Sequence, residues 1–194
     1  MIPGFLRLAN EADASDILNI YAPYVESTVV SFELSVPDLE TFQGRVAGIS
    51  AKYPYLVYES GQGLEGYAYA TAHMERAAYG WNAALTVYLR PEAAGKGLGS
   101  LLYSRLMDLL KLQNIQNVYG LVTMPNPASE KLHKRLGFKE AGIWEKAGFK
   151  FDRWLDVVWY HKSLGSHRAH PPAVISCSEL GYEQIEKVLR LQQV

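Results

Sequence analysis

The stretch best placed to do chemistry is Gly95-Lys96-Gly97-Leu98-Gly99. Its glycines leave main-chain amides uncovered, and the residues after it have a helical rhythm. Leu98, Leu101, Leu102, Leu106 and Leu109 share one apolar stripe at helical period. Upstream, Thr86-Val87-Tyr88-Leu89 are the β-branched, aromatic and aliphatic types that fit a strand. Arg90-Pro91 ends that strand, because proline cannot donate to a ladder. A helix start carries N–H groups without partners and partial positive charge, and glycine lets an anion approach them closely. Residues 94–100 therefore read either as a diphosphate cradle or as a tight connection that binds nothing. The spacing GxGxG fits neither the dinucleotide fingerprint nor the P-loop.

Around this stretch lies a chain of ordinary globular composition: 194 residues, 48% hydrophobic, 20% charged, formal net charge −1. That is enough for one domain with a full core. The near-neutral balance gives no basic footprint for nucleic acid. A single cysteine, Cys177, excludes an intrachain disulfide and any multi-cysteine zinc site, so no metal is expected. It suits a reducing, cytoplasmic setting. The opening MIPGFLRLANE has no charged n-region before a long apolar run, so no signal peptide is expected. No run reaches the roughly 18 apolar residues that a membrane span needs.

Taken in order, Phe5–Ala9 reads as a strand. Asn10 caps a helix over Asp13–Tyr21 that Pro23 should end or kink. Ser27–Phe32 is a short apolar segment, either a strand or a lining loop. Pro37-Asp38 opens a second helix to about Ala51. Tyr55–Glu59 and Leu64–Ala72 form a hairpin across Ser60-Gly61-Gln62-Gly63. Trp81–Leu89 leads into the glycine turn and the third helix. Asn117–Val122 is a buried strand, and Ser129–Leu136 a short helix ended by Gly137. Lys139–Trp144 and Trp154–His161 are the last strands, with a loop over 145–153. The order β-α-α-β-β-β-α-β-α-β-β implies an α/β chain of α+β type. Its sheet should be mixed and mostly antiparallel, with one right-handed β-α-β parallel crossover. Residues 165–172 read as a linker. Leu180, Ile185, Val188, Leu189 and Leu191 mark an amphipathic C-terminal helix, docked on its own domain or contacting a partner.

This order and these motifs resemble the GCN5-related N-acetyltransferase superfamily, and within it the phosphinothricin and methionine sulfone/sulfoximine acetyltransferase group. The resemblance runs from about Phe5 to Leu164. It rests on Tyr53-Pro54-Tyr55-Leu56-Val57, Ala78-Tyr79-Gly80-Trp81, the Thr86–Leu89 run, the glycine turn and Pro125-Asn126-Pro127-Ala128-Ser129. Leu132-His133, Leu136-Gly137-Phe138, Ala147-Gly148-Phe149-Lys150 and Arg153-Trp154-Leu155-Asp156-Val157 complete it. It implies an acyl-CoA N-acyltransferase fold over residues 1–164, with splayed strands and helices on both faces, followed by a tail over 165–194. It also implies acetyl-CoA as donor, a small amino-acid-like amine as acceptor, direct attack in a ternary complex, and a homodimer. Two other readings stay open: an acetyl-CoA-binding module with weak turnover, and a protein N-terminal or lysine acetyltransferase.

The resemblance also implies roles for particular residues. The diphosphate goes to the backbone of Ala94, Gly95, Lys96, Gly97, Leu98, Gly99 and Ser100. The pantetheine arm runs along Val87, Tyr88 and Leu89, with Asn126 and Ser129 against it. A main-chain N–H near Tyr88 is the candidate oxyanion donor. Phe32, Glu33, Arg76 and Tyr79 line the acceptor mouth, where the Arg76 guanidinium can grip a carboxylate in bidentate fashion. Lys150 and Arg153 are weaker candidates. Two departures stand out. The superfamily's Gln or Arg at the head of the loop is Ala94. The relatives' Glu, two residues before Thr-Val-Tyr, is Ala84, which cannot take a proton. Glu33 or water is then the expected base for the amine, and His133 the proton handler at the thioester sulfur.

Overall fold

A computed structural model describes residues 4–190. Among these, seven strands form one sheet in the order β1-β2-β3-β4-β5-β7-β6. The strands are β1 (Gly4–Leu8), β2 (Tyr55–Ser60), β3 (Gly63–Ala72), β4 (Asn82–Leu89), β5 (Asn117–Thr123), β6 (Lys139–Lys150) and β7 (Arg153–Ser163). All neighbours run antiparallel except β4 and β5. The helices are α1 (Ala14–Ser27), α2 (Leu39–Ser50), α3 (Leu98–Leu112), α4 (Pro127–Arg135) and α5 (Tyr182–Arg190). The mixed sheet and the order of its elements match the expectation. No helix among the described residues is long and apolar enough to cross a membrane.

Side chains alternate across each strand, which splits the core into two layers. On one face Ala83 and Leu85 of β4, Val118 of β5 and Tyr160 of β7 pack with Leu102, Leu106, Leu109 and Leu110 of α3. On the other face Tyr55, Val57 and Tyr67 pack with Ile17, Ile20, Tyr21 and Val25 of α1 and with Phe42 and Val46 of α2. Each fully buried aliphatic side chain stabilises the fold by roughly 1.5–3 kcal/mol.

Two local expectations change, and one left open is decided. Pro23 lies inside α1, which continues to Ser27. Burial of Val25 beyond it and the bond from Tyr24 Oη to the Leu89 carbonyl, 2.6 Å, hold the helix together past the missing donor. Residues 28–38 form a loop between α1 and α2 rather than a strand. The expected loop over 145–153 is mostly strand. β6 runs to Lys150 and turns tightly through Phe151 and Asp152, both at positive φ (51° and 56°). That backbone suits a two-residue hairpin, but the usual Asn-Gly signal is absent.

The tail docks on its own domain. Cys177, Leu180, Ile185 and Val188 are buried in the α3-side layer; Leu191 lies outside the described residues. Polar staples hold the approach. Trp81 Nε1 donates to the Pro172 carbonyl at 2.8 Å, and Asn114 Nδ2 to that of Ala173 at 2.8 Å. The fully buried Gln113 donates to the carbonyls of Lys52 (2.7 Å) and Ile175 (2.8 Å). Replacing Gln113 with Ala leaves both carbonyls without that donor. The expected result is a loss of about 2 kcal/mol in denaturant unfolding and faster proteolysis within 165–190. A variant as stable and as resistant as the parent would contradict the staple.

Candidate active site

The sheet opens where β4 and β5 part. Their parallel pairing covers Asn82, Ala83 and Ala84, the last opposite Tyr119. Which groups face the opening follows from the β3–β4 register. His73 N donates to the Asn82 carbonyl at one end of β4, and Arg90 N to the Glu65 carbonyl at the other. In an unbroken antiparallel register, the peptides of even-numbered β4 residues therefore face β3 and those of odd-numbered residues face β5. Val87 and Leu89 turn their peptides toward the opening. Tyr88 exchanges its hydrogen bonds with Tyr67 instead. The backbone donor expected near Tyr88 thus belongs to Val87 or Leu89. Two carbonyls along this edge are already taken from opposite faces: that of Leu85 by Tyr103 Oη at 3.1 Å and that of Leu89 by Tyr24 Oη.

The glycine turn lies at the end of this edge. Gly95 and Gly97 sit at φ +73° and +87°, a backbone that side chains strain, and nothing stands where their Cβ atoms would be. Gly97 is the N-cap of α3 and offers no side-chain cap. The first-turn amides of Leu98, Gly99 and Ser100 therefore point out of the helix end. Ala94 adds only backbone, and Lys96 is exposed beside the turn. An anionic diphosphate fits this concave row of donors.

Helix α4 borders the opening on the α3 side. Asn126 caps it, its Oδ1 accepting from Ser129 N at 3.1 Å, which leaves the amide Nδ2 to donate outward. His133 is buried among Tyr103, Phe138 and Tyr160. Its Nδ1 lies 2.8 Å from the Ser129 carbonyl, an acceptor, so Nδ1 carries the proton and Nε2 is a bare lone pair. Burial holds the ring below the ordinary histidine value, against the pull of the Ser129 bond. Nε2 has no partner and lies 2.1 Å from where a Gly120 Cβ would stand. In this state His133 can accept a hydrogen bond beside the opening but has no Nε2 proton to give a leaving thiolate.

The opposite face carries tyrosines. Tyr21, Tyr55, Tyr67 and Tyr69 line a pocket with Phe42, and Tyr88 packs edge-on to Tyr21 at 5.0 Å. Burial pushes the phenols of Tyr21, Tyr67, Tyr69 and Tyr88 up, so they stay neutral at physiological pH. Glu33 borders this pocket and is paired with Arg45. Phe32 seats its ring on Gly148, where a Cβ would fall 2.2 Å from Phe32 Cε2. Lys150, a weaker candidate for the acceptor mouth, is buried and donates to the carbonyls of Val25 (2.6 Å) and Ser31 (2.8 Å). It clips the Phe32–Glu33 loop to α1. Burial lowers its ammonium pKa, and the charge of Glu33 opposes that. Arg76 and Tyr79 lie exposed on the β3–β4 connection. No hydrogen bond or ring contact recorded among the described residues joins them to Phe32 or Glu33. No described group of three or more His, Cys, Asp or Glu residues could hold a metal.

Comparison with known proteins agrees with this geometry. Residues 6–159 match the family model described as an acetyltransferase (GNAT) domain. The phosphinothricin N-acetyltransferase of Alcaligenes faecalis is 37% identical over 166 residues, 83% of this chain and 83% of that protein. The L-methionine sulfoximine/L-methionine sulfone acetyltransferase of Pseudomonas paraeruginosa is 32% identical over 169 residues, 86% of this chain and 98% of that protein. Among solved structures, a phosphinothricin acetyltransferase from Sinorhizobium meliloti in complex with acetyl-CoA superposes with a TM-score of 0.84 at 33% identity, covering 89% of this chain and 95% of that one. A sheet parted beside a glycine-capped helix, in a chain matched over most of its length, makes this protein a member of the GNAT acetyltransferase family.

Proposed function

We propose that the chain transfers the acetyl group of acetyl-CoA to the amine of a small amino-acid-like acceptor, of the phosphinothricin, methionine sulfoximine or methionine sulfone type, by direct attack in a ternary complex. The observation that carries this is the opening between β4 and β5. A glycine cradle lies at its end, and a tyrosine-lined pocket lies on the face away from α3. The relatives' names supply the acceptor class.

Acetyl-CoA brings the acetyl group as a thioester, an acyl donor that an amine can attack. The amides of Gly95–Ser100 hold its diphosphate, with Lys96 alongside. The peptides of Val87 and Leu89 continue the ladder with its amide-bearing arm, and Asn126 Nδ2 and Ser129 flank it. The N–H groups on this edge are the donors available to an oxygen that develops negative charge. On the acceptor side Arg76 meets the carboxylate, while Phe32, Glu33 and Tyr79 close the mouth. His133 supports the site from the core, packed behind Gly120 of β5. The single cysteine, Cys177, is buried and unpaired, which suits a cytoplasmic setting. A second copy of the chain completes the assembly. Trp144, Phe149, Phe151 and Trp154 are all more than half exposed on the β6–β7 hairpin, an apolar surface of the kind that partners cover.

Four measurements test this. A thiol-release assay with acetyl-CoA and a panel of phosphinothricin, methionine sulfoximine, methionine sulfone and common amino acids should give turnover with at least one of the three analogues. Calorimetric binding of acetyl-CoA with no thiol release across the panel would favour the binding-module reading instead. Arg76→Ala should raise KM for the acceptor by about tenfold or more, as loss of a charge-assisted bidentate contact does. KM for acetyl-CoA should stay level, while Gly97→Val should weaken acetyl-CoA binding by about tenfold through backbone strain. Sedimentation should show a dimer that Trp154→Glu dissociates; a monomeric parent would remove the dimer from the proposal.

A further inference from the structure

An ammonium acceptor must lose a proton before it can attack, so a base is needed on the tyrosine face near the point where β4 and β5 part. Ala84 stands at that point, paired with Thr71 on one side and Tyr119 on the other. Its methyl leaves the space above β4 open, and His73 occupies it. His73 prolongs the β3 register by one residue, through its N–H to the Asn82 carbonyl at 3.4 Å. Alternation puts its ring on the same face as Tyr67 and Tyr69. From there it stacks flat on Tyr119 of β5, with ring centroids 3.9 Å apart and planes 9° apart. Strands two apart in a sheet lie roughly 9–10 Å from one another, so the two rings can meet only above β4, at the level of Asn82 and Ala84. A long side chain at 84 would compete with the stack for that space.

Trp159 of β7 closes the stack edge-on at 5.0 Å. His73 Nδ1 and Trp159 Nε1 are both buried and have no partner. A purely structural stack gains nothing from leaving a ring nitrogen unmatched. The other candidates are placed less well. Glu33 is paired with Arg45, and His133 lies in the α3-side layer behind Gly120. The groups facing the stack are Asn82 from β4, Tyr119 from β5 and Trp159 from β7, with His161 of β7 packed on Tyr119 at 5.0 Å. Burial keeps the His73 imidazole below the ordinary histidine value and therefore neutral at physiological pH.

We propose that His73 is the general base of this reaction, taking the place of the carboxylate that Ala84 lacks. Its imidazole accepts the proton of the acceptor's ammonium through one water. The ammonium N–H bond breaks, its electron pair stays on nitrogen, and the proton becomes the second N–H of an imidazolium that returns it to solvent. The amine's second proton leaves with the thiolate as free thiol. The proposal rests on the amino-acid acceptor reading above.

The test is kcat/KM against pH for the wild type, His73→Phe, His73→Gln, and His73→Ala combined with Ala84→Glu, each checked for fold by calorimetric acetyl-CoA binding. A neutral base works above its own pKa, so wild-type activity should rise through a single limb below the ordinary histidine value. His73→Phe keeps a flat ring on Tyr119 and should lose about a hundredfold together with that limb, while acetyl-CoA affinity is unchanged. His73→Gln should lose as much, and the added Glu at 84 should recover at least part of the rate. If either folded single variant keeps wild-type kcat/KM and its acid limb, His73 is not the base. A wild type inert with every amine of the panel would overturn the acceptor reading itself, and with it the role of His73.

Discussion

A parallel strand pair that separates after a few residues leaves peptide groups on both edges facing a space neither strand can bridge. Buried backbone groups without partners cost on the order of 1–3 kcal/mol each, so such a parting persists only if other groups occupy it. Here the neighbouring elements do part of this. Tyr103 reaches in from α3 to the Leu85 carbonyl and Tyr24 from α1 to the Leu89 carbonyl. Between these two lies the peptide edge of Val87, turned the same way. A ligand with an extended, amide-bearing arm satisfies that edge as a further strand would. The glycine turn follows directly because α3 begins where β4 ends, so arm and anionic head would be met by consecutive parts of one β-α unit.

The two faces of the sheet then divide the work by chemistry. The α3 side is aliphatic and dry, and its packing fixes the helix whose N-terminus is proposed to hold the anion. The α1 side is built from tyrosines, each with an apolar body and a polar tip. Burial keeps their hydroxyls neutral, so they shape a pocket without adding charge. The loop over that pocket is held from below by Lys150. Its ammonium replaces water at two carbonyls that no helix or strand would otherwise cover. Gly148 lets Phe32 lie directly on β6, so the late hairpin supports the acceptor loop as well as forming the sheet edge.

Much of this was legible in the sequence because the signals are local. The leucine stripe of α3, the glycines at positive φ and the hairpin at Gly61–Gly63 each act within a few residues. What was not legible depends on partners distant in the chain. Pro23 is carried inside α1 by contacts Tyr24 and Val25 make elsewhere. The run 145–150 looks like a charged loop because its alternation faces solvent, and the turn after it uses Phe151 where glycine would be usual. Whether Tyr88 or Val87 faces the opening is a matter of register, which no single strand's sequence contains. Lys150 reads as a surface charge until α1 is laid over it. His73 reads as part of an irregular polar segment, since nothing nearby in the chain reveals Tyr119 as its neighbour.

These features together bear on selectivity. The pocket's one carboxylate, Glu33, is neutralised by Arg45, and its phenols are uncharged, so its walls carry little net charge. A simple monocation would leave water for such a pocket with no strong counter-charge to meet it. A zwitterion fares better. Under the proposed function its carboxylate would be met by Arg76, and its ammonium would lie against aromatic faces that attract cations by about 0.5–2 kcal/mol. Under the proposed function, an acceptor lacking the carboxylate would lose both its anchor and its alignment beside the parted strands.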